Sequence, residues 1–301
     1  MQETEFIWMD GKLVPWKEAN IHILTHSLHY GGGVFEGIRC YETDKGPAIF
    51  RLPEHIKRLL YSAGTLKMDI KYSKDQLMEA VKEIVEVNKL KVCYIRPLCY
   101  FGYGKMGLNP KGAPTNISIS AWPWGSYLGE EAVKVKTSKY VRIHPKSTIT
   151  DAKICGHYVN SIFASVEAKD AGYHEALLLD YKGSCAEGPG ENLFIVKGGR
   201  LLTPPLGTIL DGITRKSIIQ IAKDMGISVE EKELKLEDVY KADEALFTGT
   251  AAEVTSIESV DDKKIGSEAP GPLTKQLKDI FMDIVHGRND KYRDWLTYVD
   301  Q

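Results

Sequence analysis

The chain lacks any apolar run approaching the roughly 18 residues that cross a bilayer. Its start, MQETEFIWMDGKLV, has neither the basic residues nor the unbroken apolar core of a signal peptide. It reads as a cytoplasmic protein. Charge of one sign is missing too. Lys+Arg number 39 against 41 Asp+Glu, with no long block of like charge, which argues against nucleic acid or an anionic membrane as partner. A small, near-neutral substrate fits better. Cysteine is sparse: Cys40, Cys93, Cys99, Cys155 and Cys185 are odd in number and form no CxxC pair, so neither a disulfide framework nor a zinc site is expected. Most read as small apolar fillers, with a redox role left open for Cys155 and Cys185, which lie near residues singled out below. Internal repeats and low-complexity segments are absent, and no segment matches GxxxxGK[ST], which excludes a nucleotide-hydrolysing P-loop.

What is present is enough for two domains. The 301 residues, 43% hydrophobic and 27% charged, exceed the size at which one core usually keeps growing. Residues 5 to 16 alternate as a strand would, and 35 to 43 and 47 to 51 read as further short strands. Pro53 opens a helix with Ile56, Leu59, Leu60 and Ala63 on one face and Arg58 on another. A second helix follows Ser73, where Gln76 completes a capping box and Leu77, Ala80, Val81, Ile84 and Val85 form a buried stripe. Segments 92 to 101 and 115 to 122 read as strands of a mainly antiparallel sheet.

Periodicity breaks in WPWGSYLGEE, 122 to 131. The division expected is a small α+β domain over 1–124, a linker over 125–132 and a larger α/β domain over 133–301. The latter should contain strands at 132 to 138, 175 to 181, 191 to 197, 227 to 233 and 244 to 248. Helices are expected near 156 to 170, 213 to 225 and 272 to 285.

Two turns could hold an anion. Leu210-Asp211-Gly212-Ile213-Thr214-Arg215 puts a glycine and a hydroxyl at a helix start, where free N–H groups and the macrodipole favour negative charge. The plainer reading, favoured for this turn alone, is that Asp211 or Thr214 caps the helix. Gly249-Thr250-Ala251-Ala252 repeats the arrangement at a strand end. The run EGPGENLF, 187 to 194, carries two carboxylates in a turn that glycine and proline keep from being helical. Solvated acids in a tight hairpin and a carboxylate aimed at a cation remain equally open there.

Taken together, HSLHYGGGVFEGIRCY (26 to 41), YIRPL (94 to 98), AKICGHYVNSI (152 to 162), EGPGENLF, GITR (212 to 215) and TGTAAE (248 to 253) resemble the fold-type IV pyridoxal phosphate (PLP) transaminases. The likeness is greatest to the bacterial type of branched-chain amino acid aminotransferase, with motifs in the same order from about Phe6 onward. The resemblance implies a two-domain α+β fold with a barrel-like sheet in the larger domain. It also implies transfer of an amino group from L-leucine, L-isoleucine or L-valine to 2-oxoglutarate. Lys153 matches the lysine that forms the Schiff base with PLP and later carries the proton, which requires a partly desolvated amine. Glu187 matches the acid paired with the pyridine nitrogen, and Tyr158 the phenol on the ring oxygen. Arg58, Ile213, Thr214 and Thr250 match the phosphate ligands, and Leu210 a residue packed on the ring.

For the substrate, the resemblance assigns an apolar pocket edged with polar groups to Tyr30, Phe35, Gly37, Trp124 and Tyr127. Met106 and Leu108 are expected in a loop supplied by the neighbouring subunit. Arg96 matches the arginine for the distal carboxylate, and Tyr94 with the amides of Thr250 and Ala251 the α-carboxylate site. Gly31-Gly32-Gly33 is an unusually small run for the family, and Pro189 and Cys155 sit at variable positions, which puts pocket shape in question. A homodimer or a higher homo-oligomer such as a hexamer is implied, with the active site at a domain and subunit boundary. A D-amino acid transaminase or an aminodeoxychorismate lyase of the same fold would keep Lys153. FEGIR and the Tyr94-x-Arg96 pair favour the branched-chain enzyme, and a non-catalytic PLP-binding protein would not need the substrate contacts.

Overall fold

The structure, a computed structural model, describes residues 2–125, 128–129 and 131–300. It divides into two compact units, one of residues 1–125, 152–157 and 284–301 and one of 126–151 and 158–283. The first crossing, after Gly125, lies where periodicity breaks. A single cut at 125–132 nevertheless does not separate the units, because 152–157 and 284–301 return to the first. Hydrogen bonding brings them there: Phe35 N–H donates to the Lys153 carbonyl at 3.1 Å, and Leu296–Tyr298 pairs antiparallel with Gly46–Phe50.

The first unit is an antiparallel sheet with two long helices. Its strands are β1 (Phe6–Met9), β2 (Lys12–Pro15), β3 (Gly33–Phe35), β4 (Ile38–Thr43), β5 (Gly46–Phe50), β6 (Cys93–Phe101) and β7 (Thr115–Trp122). From the Leu296–Tyr298 edge the order is β5, β4, β6, β7, β1, β2, with β3 also pairing β6. The alternation expected over 5 to 16 is folded into a hairpin rather than one strand. Asp10 and Gly11 take φ of 47° and 88°, the left-handed geometry that a two-residue hairpin turn needs. A short helix, α1 (His26–Tyr30), precedes β3.

Helices α2 (Leu52–Thr65) and α3 (Lys74–Val87) supply Ile56, Leu59, Ala63, Leu77, Val81 and Ile84 to a core shared with Ile38, Ile95, Ile117 and Ile119. The expected cap is present: Ser73 Oγ accepts from Gln76 N–H at 3.2 Å and Gln76 Oε1 accepts from Ser73 N–H at 2.8 Å.

The second unit is built on a closed sheet. Its elements in chain order are β8 (Val133–Thr137), α4 (Tyr158–Asp170), β9 (Glu175–Leu179), β10 (Cys185–Glu187), β11 (Asn192–Lys197), β12 (Arg200–Thr203), α5 (Ile213–Asp224), β13 (Val229–Glu231), α6 (Leu236–Tyr240), β14 (Glu244–Gly249), β15 (Glu253–Val260) and α7 (Pro272–Val285), the last with residues 272–283 in this unit. Strands β10, β9, β8, β15, β14 and β11 run in that order, and a β10–β11 pairing at Glu187 and Asn192 closes the ring into a barrel. Period-two alternation fills it: Val133, Val135, Leu177, Leu193, Ile195, Phe247 and Ile257 form one core. On the other face of β9, Ala176 and Leu178 pack with Ala164 and Ala168 of α4. Strands β10, β12 and β15 and helix α6 have no counterpart in the sequence-based reading.

Removing the Ser73 hydroxyl should therefore cost α3 its cap. Ser73→Ala is expected to lower stability by about 1 kcal/mol, read as a lower urea midpoint at unchanged slope. An unchanged midpoint would contradict the capping role.

Candidate active site

The candidate residues fall into two sets, one in each unit. In the first, Lys153 lies on a segment that runs against residues 31–35 by backbone contacts. Its carbonyl accepts from Phe35 N–H, Ile154 bridges Val34, and Gly156 N–H donates to the Gly31 carbonyl at 3.1 Å. On the other side, Lys153 N–H donates to Ser62 Oγ of α2 at 3.0 Å. A β-carbon on Gly31 would lie 3.0 Å from Gly156 Cα, and one on Gly33 would lie 3.0 Å from Cys155 Sγ. The small run after Tyr30 therefore has a steric cause, since larger residues would push the lysine segment away. The Lys153 amine sits 4.9 Å from the Phe35 ring centroid.

Arg58 is held by a carboxylate the sequence reading did not assign. Arg58 donates from Nε to Glu36 Oε1 at 2.6 Å and from Nη2 to Oε2 at 2.9 Å, and His55 Nδ1 lies 2.7 Å from Oε2. Burial alone would raise the Glu36 pKa, but Arg58, with His55, more than offsets it and holds this carboxyl far below its ordinary value. Burial also pushes His55 down, reinforced by the nearby cations Arg58 and Lys153 and opposed by Glu36. His55, Arg58 and Ser62 follow i, i+3, i+7 spacing, so one face of α2 serves Glu36, the guanidinium and the lysine segment. That spacing, and an acid inside FEGIR between apolar strands, were the available signals.

The substrate candidates Phe35, Tyr94 and Arg96 meet as an aromatic box. The Arg96 guanidinium lies 4.8 Å from the Phe35 ring, 5.1 Å from Tyr94 and 6.0 Å from Trp122, and it donates to Tyr94 Oη at 3.1 Å. Its Nε is buried without a hydrogen-bond partner among the described residues. Trp124 joins through Tyr94, with ring centroids 4.9 Å apart. A β-carbon on Gly37 would come within 2.0 Å of Tyr94 Oη, so glycine there is what lets the phenol lie flat over the strand. Tyr30, Met106 and Leu108 stand apart and are 43%, 42% and 86% exposed. Tyr127 lies outside the described residues. A groove of this unit, about 1070 Å³ and lined by Lys67, Phe101 and residues 108–115, contains none of Lys153, Arg58 or Arg96.

In the second unit, Glu187 is the centre. Its buried carboxylate accepts from Arg142 Nε at 2.6 Å, from Asn192 Nδ2 at 2.9 Å, and from Leu210 N–H at 3.2 Å and 3.1 Å to its two oxygens. EGPGENLF is thus a hairpin, but its acids are not solvated: Glu191 is buried as well, accepting from Gly190 N–H. Arg142 and Asn192 escaped the sequence reading, although Asn192 stands inside the quoted motif. Arg142 Nη1 is buried with no partner among the described residues. Neither Asp211 nor Thr214 holds the N-cap position of α5. Gly212 does, and it brings no side-chain cap hydrogen bond, which suits the end of the helix to an anion. A β-carbon on Gly212 would collide with Asn192 Oδ1 at 1.9 Å. Ile213 and Thr214 are buried in that first turn, and Tyr158 opens α4.

Thr250 and Ala251 lie in the hairpin turn between β14 and β15, not at a helix start. Burial pushes the Cys99 and Cys185 thiols up to about 12 and raises Cys155 as well, in keeping with apolar filling rather than reactivity.

The amino-transferase class IV family model matches residues 33–260. Over 297 residues the chain is 47% identical to the branched-chain-amino-acid aminotransferase of Pseudomonas aeruginosa, covering 97% of each protein. It is 43% identical over 306 residues to that of Escherichia coli K12, covering 100% of this chain and 99% of the relative. Among solved structures, the T.th. branched-chain amino acid aminotransferase complexed with N-(5'-phosphopyridoxyl)-L-glutamate is similar with a TM-score of 0.97 at 45% identity, over 99% of this chain and 100% of that one.

Both His55 and Glu36 bind protons less readily folded than unfolded, so each favours the folded state above its ordinary pKa and loses that contribution as pH falls. Loss should begin below 6.5 for His55 and below 4.5 for Glu36. Urea midpoints of the wild type are expected to fall between pH 7 and 5, and His55→Gln should flatten that slope. Equal slopes would contradict the assignment.

Proposed function

The chain belongs to the class IV aminotransferases, and on that footing we propose that it moves the amino group of L-leucine, L-isoleucine or L-valine to 2-oxoglutarate, using PLP in a ping-pong sequence. The observation that carries this reading is the 47% identity over nearly the whole chain to a relative of that name. The residues suit the cofactor by their chemistry. An uncapped helix start suits a phosphate. A buried carboxylate suits a protonated ring nitrogen, and the unpartnered Nη1 of Arg142 beside it offers a further donor.

When bound, the cofactor supplies an electron sink. Lys153 would carry it through the side-chain amine, and the same Nζ would serve to take up and return the proton of the substrate α-carbon. Glu187 keeps the pyridine nitrogen protonated, with Arg142 and Asn192 holding the carboxylate in place. Tyr158 would serve the ring oxygen and Leu210 the ring face. The phosphate would be held by Arg58, oriented by Glu36, and by the groups matched to it in Ile213, Thr214 and Thr250.

Tyr94 and the amides of Thr250 and Ala251 take the α-carboxylate. Tyr30, Phe35, Gly37, Trp124 and Tyr127, with Met106 and Leu108 of a neighbouring subunit, surround the side chain, which makes the working form a homodimer or a larger homo-oligomer. Arg96 resolves the conflict between apolar and acidic partners. Ring faces hold its charge, and beyond the Nη2 bond to Tyr94 Oη its Nε has no partner among the described residues, so it can bind the distal carboxylate of 2-oxoglutarate and still present apolar walls to leucine. No helix among the described residues is long and apolar enough to cross a membrane, and we assign the enzyme to the cytoplasm.

Lys153→Ala should abolish the near-ultraviolet and visible absorbance of lysine-bound cofactor; persistence of the band would refute the assignment. Arg96→Ala should lower kcat/KM for 2-oxoglutarate by about 10- to 100-fold, the scale of a charge-assisted hydrogen bond, while leucine loses far less. Equal losses would contradict the role given to Arg96.

A further inference from the structure

The loop from Gly102 to Pro114 carries Met106 and Leu108. Within it Gly104, Gly107 and Gly112 take φ of 125°, 105° and 87°, backbone that residues with a side chain rarely adopt, so the loop has little stiffness of its own. Its internal bonds gather at its ends and its second half: Gly102 N–H donates to the Pro114 carbonyl at 2.7 Å and Ala113 N–H to the Pro110 carbonyl at 2.8 Å, Lys105 Nζ donates to the Lys111 carbonyl, and Asn109 Oδ1 accepts from Lys111 N–H at 3.0 Å. Over residues 103–109, among the described residues, the one hydrogen bond from another element comes from His26, whose Nε2 lies 2.8 Å from the Gly107 carbonyl oxygen. A carbonyl only accepts, so Nε2 carries the ring proton.

His26 is itself firmly held. It is 3% exposed, and its N–H donates to the Gly102 carbonyl at 3.1 Å. Its ring meets Phe101 edge-on with centroids 5.6 Å apart and lies 4.7 Å from the Tyr30 ring. The next residue joins the same bracket: Ser27 Oγ accepts from Phe101 N–H at 2.8 Å and donates to the Gly32 carbonyl at 2.9 Å. Helix α1 thus ties the glycine-rich loop to the glycine run that seats Lys153.

We infer that His26 is a positioning residue for recognition of the substrate side chain, its Nε2–H holding the 103–109 backbone so that Met106 and Leu108 are presented in one conformation. This rests on the role proposed above for those two residues. Without the bond, the loop must be ordered at the expense of substrate binding, which weakens apparent affinity and leaves the chemical step unchanged. Cofactor binding, assigned to other residues, stays as it was.

The test compares holoenzymes of wild type, His26→Phe, His26→Gln and a Met106→Ala, Leu108→Ala double variant. Phenylalanine keeps the ring volume without the donor, and the glutamine amide nitrogen can reach where Nε2 stood. Measured are hydrogen exchange over 103–109, KM and kcat for L-leucine, and PLP affinity by titration of the apoprotein. His26→Phe should speed exchange by about tenfold and raise KM about five- to tenfold, the scale of one hydrogen bond, with kcat within about twofold and PLP affinity unchanged. His26→Gln should recover most of both effects.

If the Phe variant does not fold, His26→Asn, whose amide is too short to reach Gly107, should show the same changes. Wild-type exchange and KM in the donor-less variant, alongside a raised KM in the double variant, would overturn the inference and leave the loop's role intact. An unchanged KM in the double variant would instead remove the role of Met106 and Leu108, and the inference with it.

Discussion

The close backbone contact between residues 31–35 and the segment around Lys153 is the constraint on which the rest depends. The role proposed for Lys153, covalent anchor and proton carrier, requires an amine held to a fraction of an ångström. A long, flexible lysine side chain cannot supply that precision. The backbone supplies it instead, with Phe35 N–H on the Lys153 carbonyl and Ser62 Oγ on the Lys153 N–H. Such contact leaves little room for β-carbons at Gly31 and Gly33, each of which would lie 3.0 Å from the lysine segment. The same segment leads directly into Tyr158, the first residue of α4.

The buried charges follow a common logic. A carboxylate removed from water is costly unless its lone pairs are met by charged or well-aimed donors. Glu36 and Glu187 are both treated this way, one by Arg58 and His55, the other by Arg142, Asn192 and the Leu210 amide. Each acid is thereby locked in place, and Glu36 is also held ionised, which suits groups that orient or tune a cofactor. Arg96 is treated in the opposite way: its neighbours are ring faces and a phenol, with no carboxylate partner among the described residues. That setting suits the role proposed for it with an incoming anion.

How much of this was legible in the sequence follows from what each feature depends on. The two long helices of the first unit and the capping box at Ser73 are local, written in i, i+3, i+4 spacing and a short polar motif, and they appear as expected. The hairpin at Asp10–Gly11 was missed because alternation continues through a two-residue turn, leaving only the Asp-Gly pair to mark it. The return of 152–157 and 284–301 to the first unit depends on long-range pairing, which no local pattern encodes. Among site residues, Lys153, Glu187 and Arg58 came from motif resemblance and not from periodicity. Their partners Glu36, His55, Arg142 and Asn192 went unassigned, since a residue that holds another functional group shows no pattern until the fold brings the two together. The cap expected from Asp211 or Thr214 failed for a related reason: Gly212 takes the N-cap position, packed so closely on Asn192 that no side chain fits.

The central claim, that Lys153 and its partners transaminate L-branched-chain amino acids, is tested most directly by a spectroscopic screen of L- and D-amino acids as donors to the purified holoenzyme. L-leucine, L-isoleucine and L-valine are each predicted to convert the cofactor to its amine form, with 2-oxoglutarate restoring the original spectrum and D-enantiomers leaving it unchanged. Conversion by D-amino acids with no response to L-leucine would contradict the account.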